Sequence, residues 1–322
     1  MAGKYIDSCS FLPTREILVQ WFQIVSASEA YLKVFWKGFA HWAGLTKDQY
    51  FAIVNGNTPE RARAILADHV ATARSTSAQE FVAQMDAAGI EAAVIHNSDC
   101  STTLGVPHLP YDHTADIARR FPGRFLMLAG IDPFQGQESV NTLGRCVREL
   151  GYAGLLVVPF RNGVPADHEV FKPLYALCQE LGVPAWIHST NNWDPRYPSD
   201  FSHPRIIDRI AIEFPALKIM AGHAGWPWVM EMVTTAWRHP NVYVEFSAFH
   251  PRSLAEPGFG FEPLLHFGKG PLQNKIMFGS TWNMLNEPME TILGQVRSLP
   301  GVTPELAEKW LHGNAARLFG LA

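Results

Sequence analysis

Cysteine is scarce in these 322 residues, and neither sign of charge predominates. Cys9, Cys100, Cys146 and Cys178 sit at irregular spacing with no Cys-x-x-Cys pair. This pattern offers no disulfide framework and suits reduced thiols in a cytosol. Lys and Arg number 26 against 30 Asp and Glu, a net charge of −4 with no basic stripe, so nucleic acid is not an expected partner. No apolar run reaches the roughly 18 residues of a membrane-spanning helix, and no membrane partner is expected. The opening MAGKYIDSCS turns polar at once, unlike a secretory signal, and the expectation is a soluble cytoplasmic protein. What the chain does have is apolar content: 47% of residues against 17% charged, enough for a large core and too much for disorder.

Short apolar runs begin at Ala92, Arg124, Gly154, Pro184, Leu217, Asn241 and Lys275, and KYIDS opens the chain. Helical stretches lie between them. SAQEFVAQMDAAGI puts Phe81, Val82, Met85 and Ala88 on one face and ends at Gly89; SVNTLGRCVRELG and VFKPLYALCQELG close on Gly151 and Gly182. Eight strands alternating with helices predict right-handed βαβ units closed into a (β/α)8 TIM barrel. An open doubly wound sheet would carry a Gly-rich phosphate turn after its first strand, and SCSFLP is not one. A single barrel domain over 1–322 is expected, with residues 12–75 inserted after the first strand. That insertion carries Trp21, Phe22, Tyr31, Phe35, Trp36, Phe39, Trp42 and Tyr50, then turns polar. Its rim position predicts a helical cap over the barrel mouth, with a subunit interface as the other use of its aromatics.

Barrel chemistry gathers at the carboxyl ends of the strands. There the sequence places Cys9 and Ser10, His96 and Asp99, Asp132, Arg161, His188, His223, Glu245 with Ser247 and His250, and Thr281, Trp282 and Asn283. His188 and His223 end adjacent strands, where imidazoles bind metal or transfer protons. They are the candidate catalytic pair, with Asp99 or Glu245 to orient one of them. Arg161 is a candidate anchor for a substrate carboxylate through its two-pronged donors. Arg196 and Arg252 are weaker versions of the same idea. Cys9, Glu245, Thr281, Trp282 and Asn283 complete the expected substrate contacts. Trp226-Pro227-Trp228 is expected to start a helix, with Pro227 in its first turn.

Several stretches, AGIEAAVIHNSD, FPGRFLMLAGIDP, FPALKIMAGHAGWPWVMEM, HPNVYVEFSA, KIMFGS and LHGNAARLFGL, carry a resemblance. In that order they make the chain similar to the amidohydrolase superfamily, in the branch that contains aminocarboxymuconate semialdehyde decarboxylase. The resemblance implies the same barrel and an enzyme ancestry, with a homodimer as the expected assembly. It also implies a divalent metal held by Asp-x-His-x-His after the first strand and by the aspartate of Gly-Ser-Asp after the eighth. Here Cys9 and Phe11 stand at the two histidine places and Thr281 at the aspartate. His188 is the surviving ligand position, and His223 matches a histidine that the family uses in catalysis. No metal and no cofactor are therefore expected.

Without a metal-bound hydroxide, the chemistry falls to acid–base residues and fixed positive charge. The leading expectation is a metal-independent hydrolase of a small organic acid, lactone or aromatic ring-cleavage compound. The alternative is a non-oxidative decarboxylase of an aromatic or muconate-type carboxylate, and the second alternative is a non-catalytic ligand-binding barrel. In either enzyme reading, a small carboxylate or aromatic molecule is the partner. Activity is expected to follow an imidazole near its ordinary pKa of about 6.5, moved by burial or a neighbouring carboxylate.

Overall fold

The computed structural model describes residues 4–321, so the first three residues of the opening segment lie outside the described residues. Eight parallel strands follow one another around one sheet in chain order. They are β1 (Tyr5–Asp7), β2 (Ile90–Ser98), β3 (Phe125–Gly130), β4 (Gly154–Val157), β5 (Ala185–His188), β6 (Ile219–Gly222), β7 (Val242–Phe246) and β8 (Ile276–Phe278). Their near-continuous apolar runs reflect burial on both faces, by the barrel interior and by the outer helices; every residue of β4, β6 and β8 is buried. Each apolar run read from the sequence is a strand.

The seam between β8 and β1 is closed just past the strand ends. Ser8 N donates to Phe278 O at 2.8 Å and Thr281 N to Cys9 O at 2.9 Å. Asp7 reinforces the seam from inside: its carboxylate accepts from Ser280 N at 2.7 Å, from the Ser280 hydroxyl, and from Cys9 N at 3.3 Å. The chain is a (β/α)8 barrel.

The helix Ala78–Ala88 ends on Gly89 at φ 74°, and Lys172–Leu181 ends on Gly182 at φ 67°, as the sequence suggests. Gln137–Arg148 stops earlier, at Glu149, and the left-handed Gly151 lies beyond it. Pro227 is another departure. The helix of that segment is Val229–Arg238, capped by Trp228, so Pro227 precedes the cap and Trp226 is tied by its indole N–H to Phe259 O at 2.9 Å. Among the described residues no helix is long and apolar enough to cross a membrane.

The insertion folds into five helices, Arg15–Val25, Glu29–Val34, Trp36–Trp42, Lys47–Gly56 and Pro59–Thr72. Its aromatics pack on one another: Trp21 meets Trp42 at 5.0 Å between ring centroids and Phe39 at 5.8 Å, and Phe22 meets Phe39 at 5.0 Å. Phe11, leaving β1, joins this group by stacking on Trp42 at 5.8 Å. The aromatic content is thereby used within the chain, tying the inserted helices to the first strand.

Candidate active site

A cavity of about 350 Å³ opens at the carboxyl ends of the strands. Its floor is made by strand-end side chains and its far wall by the insertion, which contributes Ile17, Gln20, Trp21, Ile24, Tyr31, Val34 and Phe35. Trp193, from the loop after β5, and Val34 are 46% and 42% exposed and mark the mouth. The two sides are joined where Trp193 N donates to the Tyr31 hydroxyl at 3.2 Å.

Of the residues expected from the sequence, His188, His223, Cys9, Arg161, Thr281 and Asn283 line the cavity, and His96 joins them. The His188 and His223 rings stand 5.0 Å apart between centroids. His96 Nε2 and His188 Nδ1 are buried without a protein partner. Buried polar atoms are nearly always satisfied, so orphans at a cavity wall are atoms that a ligand or water completes.

Three expected residues, Asp99, Trp282 and Glu245, do not line the cavity. Asp99 turns to its own loop, where Oδ1 accepts from Ser101 N at 2.9 Å at the start of the short helix Ser101–Leu104. Its assignment as the group that orients a catalytic histidine is corrected accordingly. Trp282 points outward and stacks on Phe81 of the helix Ala78–Ala88 at 5.7 Å. It is a packing residue, not a substrate contact. Arg196 is likewise committed, its guanidinium forked onto Asp194 at 2.6 and 2.9 Å, and Arg252 pairs with Glu287 at 3.2 Å.

Glu245, expected either to orient a histidine or to touch substrate, sits one layer behind the cavity and is linked to His223 through Ser247. Ser247 Oγ lies 2.7 Å from His223 Nδ1 and donates to Glu245 Oε2 at 3.0 Å; the same carboxyl oxygen accepts from Trp186 Nε1 at 3.2 Å. The sequence held a signal for this line. Glu245 and Ser247 are two apart at the end of β7 and so share one face, as Trp186 and His188 do on β5. Ser247 had no role assigned from sequence because its partner lies 24 residues away.

Burial sets the charge states. Desolvation, aided by neighbouring His96 and by Arg161, lowers His223 to about 3, and burial with Arg161 does the same to His96. His188 is pushed well below its ordinary value by burial, His223 and Arg161. The imidazoles are therefore neutral near pH 7, and the inflection near 6.5 expected from sequence is displaced. Desolvation raises Glu245 to about 8, against the opposing hydrogen bonds from Ser247 and Trp186, and raises Asp7 to about 6. Arg161 is the one Asp, Glu, Lys or Arg residue in the lining. The cavity thus offers one fixed positive charge and three neutral imidazoles.

The raised carboxyls and depressed imidazoles act on stability with opposite signs. The folded state holds protons on Asp7 and Glu245 that the unfolded chain releases, so their contribution falls as pH rises, from 3.8 to about 6 and from 4.5 to about 8. His96 and His223 lose stability as pH falls from 6.5 toward about 3. Between 6.5 and 8 Glu245 is the group of this site still titrating. We expect the melting temperature to fall across that window and Glu245→Gln to flatten the fall, since the Gln amide oxygen can accept from both Ser247 and Trp186 as Oε2 does and does not titrate. Thermal melts of both proteins at pH 6.5 and 8.5 check it; parallel changes would contradict it.

The residues do not fit the divalent metal that the resemblance implies. Phe11 has no donor and is stacked in the insertion. Thr281 Oγ1 already accepts from Ala248 N at 2.8 Å. Both Asp7 oxygens are engaged at the barrel seam. The Cys9 thiol is raised well above its ordinary value, by burial first and by Glu245 next, so it is held as a neutral thiol in this structure. Among the described residues no three His, Cys, Asp or Glu side chains form a metal-binding group.

Comparison with known proteins places these observations. The family model described as Amidohydrolase matches residues 42–321. The 2-amino-3-carboxymuconate-6-semialdehyde decarboxylase of Dictyostelium discoideum is 31% identical over 77 residues, covering 24% of this chain and 21% of that one. The gamma-resorcylate decarboxylase of Polaromonas sp. is 28% identical over 172 residues, 44% of this chain and 50% of that one. The matches thus span half or less of the length of these two relatives. Among solved structures, the 5-carboxyvanillate decarboxylase of Novosphingobium aromaticivorans, complexed with manganese and 4-hydroxy-3-methoxy-5-nitrobenzoic acid, superposes with a TM-score of 0.61. It covers 98% of this chain and 96% of that one at 20% identity, a likeness that carries the fold.

Proposed function

The chain belongs to the amidohydrolase family, and from that premise we propose that it is a metal-independent, non-oxidative decarboxylase of an aromatic carboxylate. The observation that carries the reading is the line His223–Ser247–Glu245, which ends on the cavity. A histidine that activates water needs an ionised carboxylate behind it to stabilise the imidazolium. Glu245 keeps its proton up to about pH 8, so the line is set to give a proton rather than to take one. This favours decarboxylation over the hydrolysis first expected from the sequence, and the named relatives are decarboxylases.

Arg161 holds the substrate carboxylate, with the His96 and His188 ring nitrogens completing its hydrogen bonds. For delivery of a proton the Ser247 hydroxyl turns from Glu245 to His223: protonated Glu245 then donates to Ser247 Oγ, Ser247 donates to His223 Nδ1, and His223 carries its proton on Nε2, facing the substrate. The Nε2 proton adds to the ring carbon that bears the carboxylate. The bond from that carbon to the carboxylate then breaks, its electron pair restores the ring, and neutral CO2 leaves. His223 is made neutral again at Nδ1 through Ser247, Glu245 ends as a carboxylate, and solvent returns its proton. Thr281 and Asn283 border the ring, while Cys9 is a buried thiol at the cavity floor.

The test is release of CO2 from a panel of hydroxybenzoates, run with a chelator and again with added Mn²⁺. CO2 release unaffected by the chelator is the expected result. Activity abolished by the chelator and restored by Mn²⁺ would overturn metal independence, and hydrolysis of lactones without CO2 release would overturn the decarboxylase reading.

A further inference from the structure

We propose that the ligand of this cavity is a monocarboxylate with an apolar body longer than a single ring, such as an aryl- or alkyl-substituted aromatic acid. The inference rests on the carboxylate-binding half of the reading above and not on its chemistry.

Size is the first observation. An apolar cavity of about 150 Å³ takes a benzene ring, and this one has about 350 Å³. Shape is the second. One wall is a run of five rings from the insertion to the floor: Phe35 to Tyr31 at 5.1 Å, Tyr31 to Phe160 at 6.0 Å, Phe160 to His188 at 5.0 Å and His188 to His223 at 5.0 Å. Each step is an ordinary ring-to-ring packing distance, so a single ring seated at His188 and His223 leaves the Tyr31–Phe35 end uncovered. Polarity is the third. Arg161 and the imidazoles belong to strand ends and the loops after them, whereas Ile17, Ile24, Val34, Phe35, Met284 and Leu285 make the rest of the lining mainly apolar, with Gln20, Thr190 and Asn191 as its neutral polar members. With one arginine and no acidic residue in the lining, a second carboxylate or an amine on the ligand would find neutral partners such as Gln20, Thr190 and Asn191 but no counter-charge, which makes its burial costly.

Isothermal titration calorimetry with benzoate, 4-butylbenzoate, biphenyl-4-carboxylate and terephthalate tests the inference, and it needs no turnover. Burial of a second ring or chain is expected to make biphenyl-4-carboxylate and 4-butylbenzoate roughly 10- to 100-fold tighter than benzoate. Terephthalate is expected to bind no tighter than benzoate. Val34→Trp, at the exposed mouth, should remove the gain of the long acids and leave benzoate unchanged, while Arg161→Gln should weaken all of them together. Equal affinity for benzoate and the long acids, tighter binding of terephthalate, or binding of none of the four would overturn the inference. The two readings fail separately. A rising affinity series without CO2 release from any aromatic acid sinks the decarboxylase alone, and CO2 release from single-ring acids with a flat series sinks this inference alone.

Discussion

His223→Asn is expected to lower the chemical step by roughly 10²–10⁴ while leaving the melting temperature close to that of the native protein. Asn preserves a hydrogen bond toward Ser247 but cannot pass a proton from one side of the ring to the other. Native activity should hold at neutral pH and fall as pH rises through about 8, where Glu245 loses the proton that the line delivers. Ser247→Ala cuts the same line without touching the cavity lining, so it should share most of the rate loss. Steady-state rates and thermal melts on the same preparations decide the matter. If His223→Asn or Ser247→Ala retained native turnover, the proton line would be removed from the mechanism. An alkaline fall unchanged in Glu245→Gln would remove Glu245 as its source.

The barrel was legible because parallel strands buried on both faces must be apolar throughout, and runs such as AAVIH and KIMFGS have no other use at that spacing. Gly89 and Gly182 were legible because a helix ending in left-handed backbone favours glycine. Pro227 misled for a local reason. Proline also suits the turn before a helix, and here the segment from His223 to Trp228 is held as a loop by contacts to residues near 259 that lie far away in sequence.

Site residues were legible in proportion to how rigidly their backbone is set. His188 closes a strand and His223 follows one directly, so their direction follows from the barrel. Asp99 and Trp282 lie just past strand ends, where one turn of loop decides whether a side chain faces the mouth or the outer helices. Nothing in the local sequence makes that choice: Asp99 is turned toward the backbone N–H of Ser101 in the helix that follows it, and Trp282 toward the ring of Phe81. Ionisation states were the least legible. Ordinary values suggest a charged glutamate and half-charged imidazoles, whereas the barrel interior reverses both, and desolvation depends on the whole packed surroundings rather than on neighbours in sequence.

Gly279→Ala is expected to damage fold and site together. Gly279 follows β8, between the residues that follow β1 and those at the end of β7. A Cβ there would lie 2.6 Å from Cys9 Cβ and 2.9 Å from Ser247 Cβ, and closer still to Glu245 Oε1. The carboxyl oxygen is the end of a side chain and can swing away, but the two Cβ atoms are fixed to strand-end backbone and must carry β1 and β7 with them. Overpacking of this kind costs roughly 1–3 kcal/mol and occasionally more. The movement also separates Ser247 from Glu245, so the rate should fall beyond what the loss of folded protein explains. Gly294→Ala is the control of opposite sign. It lies in the helix Met289–Arg297 with nothing within 4 Å of the added methyl, and alanine in a helix is more favourable than glycine by roughly 0.5–1 kcal/mol. Thermal melts should therefore place Gly279→Ala several degrees below the native protein and Gly294→Ala at or above it, with turnover per folded molecule reduced in the first and native in the second. A native melting temperature for Gly279→Ala would mean that β1, β7 and β8 can separate at no cost, and the tight junction that holds Glu245 and Ser247 in line would not exist.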